Sequence, residues 1–167
     1  MFRTIDDFKR TWEQTQGDTL KILDALTDES LSQSVADGHR TVGRIAWHIV
    51  QTIPEMMALT GLQVSGPDDK TPPPTDAAAI RKSYADTAAA FLREVTGKWS
   101  DETLQQTDEL YGETWARGLT LLIIIVHEVH HRGQLTVLMR QAGLKVPGVF
   151  GPAKEEWATF GAPVPEI

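Results

Sequence analysis

Residues 119–143 read LTLLIIIVHEVHHRGQLTVLMRQAG. The first half of this run is apolar on nearly every side, and the second half turns polar up to Gly143, a residue placed to close a helix. A helix that is apolar all round belongs at the centre of a protein. The run therefore predicts a central helix, with the other elements packed around it. Three of the five histidines interrupt it, at positions 127, 130 and 131.

Outward from that helix, the chain reads as further amphipathic helices separated by turn-rich connections. Residues 4–26 set Ile5, Phe8, Trp12, Ile22, Leu23 and Leu26 at helical spacing, with Thr4 and Asp7 as an N-capping pair. After the polar stretch TDESLSQSVADGHR a second helix is expected from Thr41. Ile45, Ile49, Ile53 and Met56 form its stripe, His48 lies beside them, and Pro54 removes a backbone donor and predicts a kink or a local loosening. Residues 62–75, with Gly66, Pro67, Pro72, Pro73 and Pro74, read as a long loop between helices 2 and 3. Thr75 is placed to cap a third helix carrying Ile80, Tyr84, Ala88, Phe91 and Val95 and ending near Gly97 or Trp99. Within residues 100–115, TDELYGETW fits either an extended turn or the start of the next helix. Residues 144–167, rich in Pro and Gly, predict an irregular tail or a short helix around Glu155 to Phe160. The predicted fold class is all-α, in a single domain spanning 1–167.

Composition narrows the chemistry. With 41% hydrophobic and 23% charged residues, the chain has the balance of an ordinary globular protein. The absence of cysteine excludes disulfides, Cys-ligated zinc or iron–sulfur sites and a protein thiol nucleophile, so any thiol chemistry must come from a substrate. A net charge of −7 without clustered Lys and Arg argues against a nucleic-acid partner. MFRTIDDFKR lacks the apolar core of a signal peptide, and the apolar stretch Leu119 to Val126 stops at His127, too short to span a bilayer. A cytoplasmic protein with no membrane partner is expected.

Histidines four apart on a helix share a face with their Cβ atoms about 5–6 Å apart, close enough for two imidazoles to reach one ion. His127 and His131 meet that condition, and His127 and His130, three apart, meet it too. His48 is the other histidine at an inward-facing helical position, whereas His39 falls in a connection. Three neutral imidazoles suit zinc, nickel, copper or iron and leave coordination positions open for water or substrate. Gln134 can share the face of His127, and Gln51 and Glu55 follow His48 at helical spacing, which makes them candidate partners of the ligands or solvated helix positions. Trp47 can border the pocket. His130 and Arg132 project to the side, where solvent contact is the default. His127, Glu128 and His131 also satisfy the zincin pattern H-E-x-x-H, in which Glu128 is a general base, although no further protease signature flanks them.

The isolated histidine in RTVGRIAWHIV, the later HEVHHRGQL on an apolar helix and the tail VPGVFGPAKEEW together resemble the DinB/YfiT-like family of bacterial metalloproteins over nearly the whole chain. The resemblance implies a four-helix bundle of up-down-down-up topology, with ligands from the second helix and from an H-x-x-x-H pair on the last long one. Carried over, these are His48, His127 and His131, which selects His131 over His130. It also implies a divalent metal, zinc or nickel, a small-molecule substrate, and a homodimer to which Trp157 and Phe160 contribute. Some members of that family transfer or isomerise substrates with low-molecular-weight thiols such as bacillithiol or mycothiol. The expected function is thus a thiol-dependent S-transferase or isomerase, with a metal-dependent hydrolase or a non-catalytic metal-binding stress-associated protein as alternatives.

Overall fold

The computed structural model describes residues 1–164 and residue 166. Its four long helices are α1 (Ile5–Asp24), α2 (Val42–Leu59), α3 (Ala77–Lys98) and α4 (Arg117–Gln141). α1 and α2 each pack against both α3 and α4, so the four close into a ring around one apolar interior. Short 3-10 turns at Glu29–Ser32 and Thr103–Gln105 lie between the longer elements, and a third, Lys154–Phe160, follows α4.

The helix starts follow from side chains that satisfy otherwise orphaned backbone N–H groups. Thr4 Oγ1 accepts from the Asp7 amide at 3.1 Å, and Thr41 Oγ1 from the Arg44 amide at 3.2 Å. The third helix is capped by Asp76 rather than Thr75: its carboxylate accepts from the amides of Ala78 and Ala79, and its negative charge suits a helix N-terminus. α2 runs through Pro54 as one helix. α4 starts two residues before the quoted run, and Gly143, at φ 76°, takes the left-handed conformation just beyond its end.

The all-α expectation needs one correction. Residues 107–116 form an antiparallel hairpin of β1 (Thr107–Leu110) and β2 (Glu113–Ala116). Tyr111 and Gly112, at φ 54° and 84°, give the two-residue turn whose twist matches that of the strands. Arg117, the first residue of α4, ties the hairpin down. Its guanidinium donates to both carboxylate oxygens of Asp108, at 2.8 and 3.1 Å, and to the Thr60 carbonyl, and it lies 5.1 Å from the Trp99 ring.

Packing of α1 on α3 is aromatic. Phe91 meets Phe8 and Trp12 edge to face at 5.4 and 4.8 Å, all three buried, and the Trp12 indole N–H donates to the Ala88 carbonyl. The Pro-rich connection between α2 and α3 is held from α2: the Trp47 indole donates to Thr71 O at 2.9 Å, and the Gln51 amide donates to the carbonyls of Asp68 and Thr71. Among the described residues, no helix is long and apolar enough to cross a membrane.

Candidate metal centre

The ring of helices brings α2 alongside α4, and this contact sets the site. His48 lies in the middle of α2; His127 and His131 lie one turn apart on α4. One ring nitrogen from each comes within 4.8 Å of the others, and this is the group of potential metal ligands among the described residues. The ring centroids stand 4.4 to 5.1 Å apart with the planes steeply crossed, so the edges rather than the faces converge. His127 Nε2 and His131 Nε2 are 3.1 Å apart. Two nitrogens held about 2.0–2.1 Å from a common tetrahedral ion lie about 3.4 Å apart, so this pair already has nearly the required spacing.

His131 is oriented from behind. Its Nδ1–H donates to Gln134 Oε1 at 2.7 Å, while the Gln134 amide donates to His130 Nε2 at 3.2 Å. A neutral imidazole that donates through Nδ1 presents a bare Nε2, the lone pair a metal requires. Burial, together with the neighbouring cationic charges, pushes the pKa values of His48 and His127 down to about 4, and that of His131 below its ordinary value. Near neutral pH all three rings are uncharged and the donor set is ready for a cation. The residues therefore fit a divalent ion with three nitrogen ligands and open positions.

The other candidates fall in several places. Gln134 and His130 form the chain behind His131. Trp47 and Gln51 hold the Pro-rich loop instead, and Arg44 donates to Gln51 Oε1 at 3.2 Å. Glu55 is exposed and accepts from the Tyr111 hydroxyl at 2.9 Å. Glu128 is buried and turned toward α1 and α3, where Oε1 accepts from Thr19 Oγ1 and Tyr84 OH, both at 2.6 Å. Burial lifts its pKa to about 7. The default of solvent contact holds for exposed His130 but fails for Arg132, which is only 2% exposed and donates to Thr15 O and Thr19 Oγ1, both at 3.1 Å. Position 132 faces α1 because α4 is surrounded by packed elements on more than one side.

The sequence reading set aside one residue next to the site, His39, because it falls in a connection, and missed another, Arg40. His39 and Arg40, on the connection before α2, line a cavity of about 540 Å³ together with His131 and Gln134. The available signal was their position just ahead of the Thr41 cap, two turns upstream of His48.

Comparison with known proteins agrees with this architecture. The chain is 46% identical over 167 residues, the full length of both, to the uncharacterized protein YrdA of Bacillus subtilis. A DinB-like protein from Bacillus cereus, solved by crystallography, superimposes with a TM-score of 0.87 at 45% identity, over 90% of this chain and all of that one. The DinB-like protein YjoA of Bacillus subtilis shares the fold at a TM-score of 0.66 and 18% identity, over 86% of this chain and 96% of that one. The DinB family profile matches residues 1–166, a span that includes α2 and α4 and the three histidines they bring together, and the chain belongs to the DinB family.

Proposed function

We propose that this protein is a metal-dependent enzyme in which His48, His127 and His131 hold one divalent ion, zinc or nickel, and in which a small thiol is transferred to an electrophilic substrate. The convergence of three uncharged imidazoles beside an open cavity carries the reading. A divalent ion bound there supplies Lewis acidity, lowering the pKa of a thiol or water in its open position. The chain's own part is to fix geometry. Gln134 sets the His131 tautomer, and the apolar surroundings keep the rings neutral. In the transfer, the thiol sulfur forms a bond to the electrophilic carbon, the leaving group departs with the bonding electrons, and the thiol proton passes to solvent. A chain without cysteine suits a borrowed thiol.

The hydrolytic alternative loses its protein bases, since Glu128 is engaged in the core and Glu55 with Tyr111. The proposal reads residues 1–167 as one cytoplasmic domain that forms a homodimer, and the helices as an up-down-down-up four-helix bundle. The long connection from Thr60 to Asp76 supports that order, because it is long enough to return the chain so that α3 runs parallel to α2.

The test combines elemental analysis with turnover. Purified protein is expected to carry a divalent transition metal that His48→Ala loses, and to accelerate conjugation of a chromogenic electrophile with glutathione, bacillithiol or mycothiol. Equal rates for metal-loaded, metal-free and His48→Ala protein would remove the enzymatic reading. No turnover on a broad panel, with a large fall in thermal stability on chelation, would favour a structural role for the ion.

A further inference from the structure

The cavity that opens onto His131 has an amphiphilic lining. Val35, Ile45, Val137 and Leu138 give it apolar walls; Arg40, His39 and Gln134 supply its polar groups. Its volume of about 540 Å³ lies within the range of about 300–1,000 Å³ typical of small-molecule sites. Val35 and Val137 are 59% and 57% exposed, so two large aliphatic side chains on separate elements flank the same opening without covering each other. Single exposed aliphatics are commonplace, but a facing pair at a cavity mouth marks a surface that a ligand can cover.

Arg40 supplies the charge. The chain has 23 acidic against 16 basic residues, yet among the described residues Arg40 makes no salt bridge and its side chain donates no hydrogen bond. Asp37, three residues away on the same loop, does not pair with it. The loop is shaped rather than loose: a bridge pairs Ser34 with Thr41, the Val42 amide donates to Gln33 O at 2.8 Å, and the His39 amide donates to Ala36 O. The backbone that carries Arg40 is thus fixed, and its exposed guanidinium lines the cavity with its donors uncommitted. Its positive charge is also felt at His48, His127 and His131, which places it within electrostatic reach of the whole cluster.

The geometry points to one chemical class of substrate for this cavity: a small amphiphilic carboxylate whose apolar body lies against Val35, Ile45, Val137 and Leu138, whose carboxylate pairs with Arg40, and whose far end reaches His131. A guanidinium offers two parallel N–H donors that match the two oxygens of a carboxylate, which selects an anion over an alcohol of the same shape. The inference rests on the functional reading above in taking the histidine cluster as the reacting centre, and it assigns Arg40 as the residue that sets specificity there.

Octanoate and octanol, alike in shape but not in charge, separate the outcomes. Each is titrated calorimetrically into full-length protein, metal-free and zinc-loaded, and into Arg40→Ala, Arg40→Lys and Val137→Ser variants. Octanoate is expected to bind more tightly than octanol in both metal states. Arg40→Ala is expected to weaken octanoate about tenfold and to leave octanol unchanged. Arg40→Lys should recover part of the loss, and Val137→Ser should weaken both probes alike. The inference is overturned if neither probe binds, if the two bind equally, or if Arg40→Ala leaves octanoate unaffected. It is also overturned if octanoate binds only zinc-loaded protein and is lost with His48→Ala alone, since the carboxylate would then sit on the metal. Failure of the functional reading looks different: no thiol transfer, with the Arg40 dependence of octanoate binding intact.

Discussion

Replacing Tyr84 by Phe tests how the buried polar cluster behind the histidines contributes to stability. Tyr84 is fully buried on α3, and its hydroxyl is one of two donors to Glu128 Oε1; Thr19 is the other, and Glu128 Oε2 has no partner among the described residues. The substitution removes one oxygen and leaves the ring, so lost packing is small. What is lost is a hydrogen bond worth about 1.5–3 kcal/mol when its acceptor is charged and about 0.5–1.5 kcal/mol when it is neutral. Burial raises the Glu128 pKa from 4.5 to about 7. A carboxyl group whose pKa rises on folding stabilises the fold fully below its unfolded value, and that contribution is lost as pH climbs through the folded value. The Tyr84 hydroxyl favours the ionised form, so its removal pushes the pKa higher still and prolongs the loss. Tyr84→Phe should therefore cost about 1 kcal/mol more at pH ~8.5 than at pH ~5.5, corresponding to a further rise of about 0.7 units in the Glu128 pKa. Urea unfolding of both proteins at the two pH values, with chelator present to keep metal out of the balance, measures this difference. A cost that is equal at both pH values, or greater in acid, refutes the assignment of an ionising Glu128 to this hydrogen bond.

Two further predictions concern the histidines. With the pKa values of His48 and His127 near 4, protons compete poorly for the cluster, so zinc uptake followed by a metallochromic dye should stay nearly constant from neutral pH down to about pH 5, and then fall. In the metal-free protein the same shifts favour the fold above the ordinary value of 6.5 and lose that contribution as pH falls toward 4; loss of uptake starting at pH 6.5 would contradict the buried, neutral rings. Gln134→Ala removes the acceptor for His131 Nδ1–H and should weaken zinc binding about tenfold in competition titrations, the low end for such a partner because Gln134 is exposed and water substitutes in part. His130→Ala should leave affinity close to wild type, and equal losses in the two variants would show that Gln134 orients His131 only with His130 in place.

The helices were legible in the sequence because their signals are local. Thr4 caps where it was expected to, the second helix begins beside Thr41 as expected, and the apolar stripes of α1, α2 and α3 are buried. The hairpin was legible only as the extended turn that TDELYGETW left open beside a helix start, because each strand has four residues, only Leu110 is buried, and Tyr-Gly is not one of the dipeptides that mark a tight hairpin turn. Among the candidate site residues, helical spacing allowed either His130 or His131 beside His127, and family resemblance selected His131. The structure shows the physical distinction: His131 faces α2, while His130 is exposed. Trp47 and Gln51 were placed near the site by their proximity to His48, but proximity in sequence does not indicate which way a side chain is drawn. Here the carbonyls of the Pro-rich loop, which lack helical or strand partners, take up their N–H donors.

The same distinction separates this helix from a zincin with the same four-residue histidine spacing. On α4, His127 and His131 form one stripe, and Glu128 and Arg132 form a second, offset by one residue and hence by roughly 100° around the axis. In a protease that offset directs the glutamate toward the substrate. Here α1 and α3 occupy that side, so Glu128 receives hydroxyl donors from Thr19 and Tyr84, while Arg132 donates to Thr15 and Thr19 and its guanidinium lies 5.5 Å from the Phe150 ring. The second stripe thus fixes the rotation of α4 from the core side, and that rotation aims the first stripe at His48. A string of residues with proteolytic spacing serves here to position ligands, because the packing around the helix, rather than the spacing within it, decides which groups reach the open cavity.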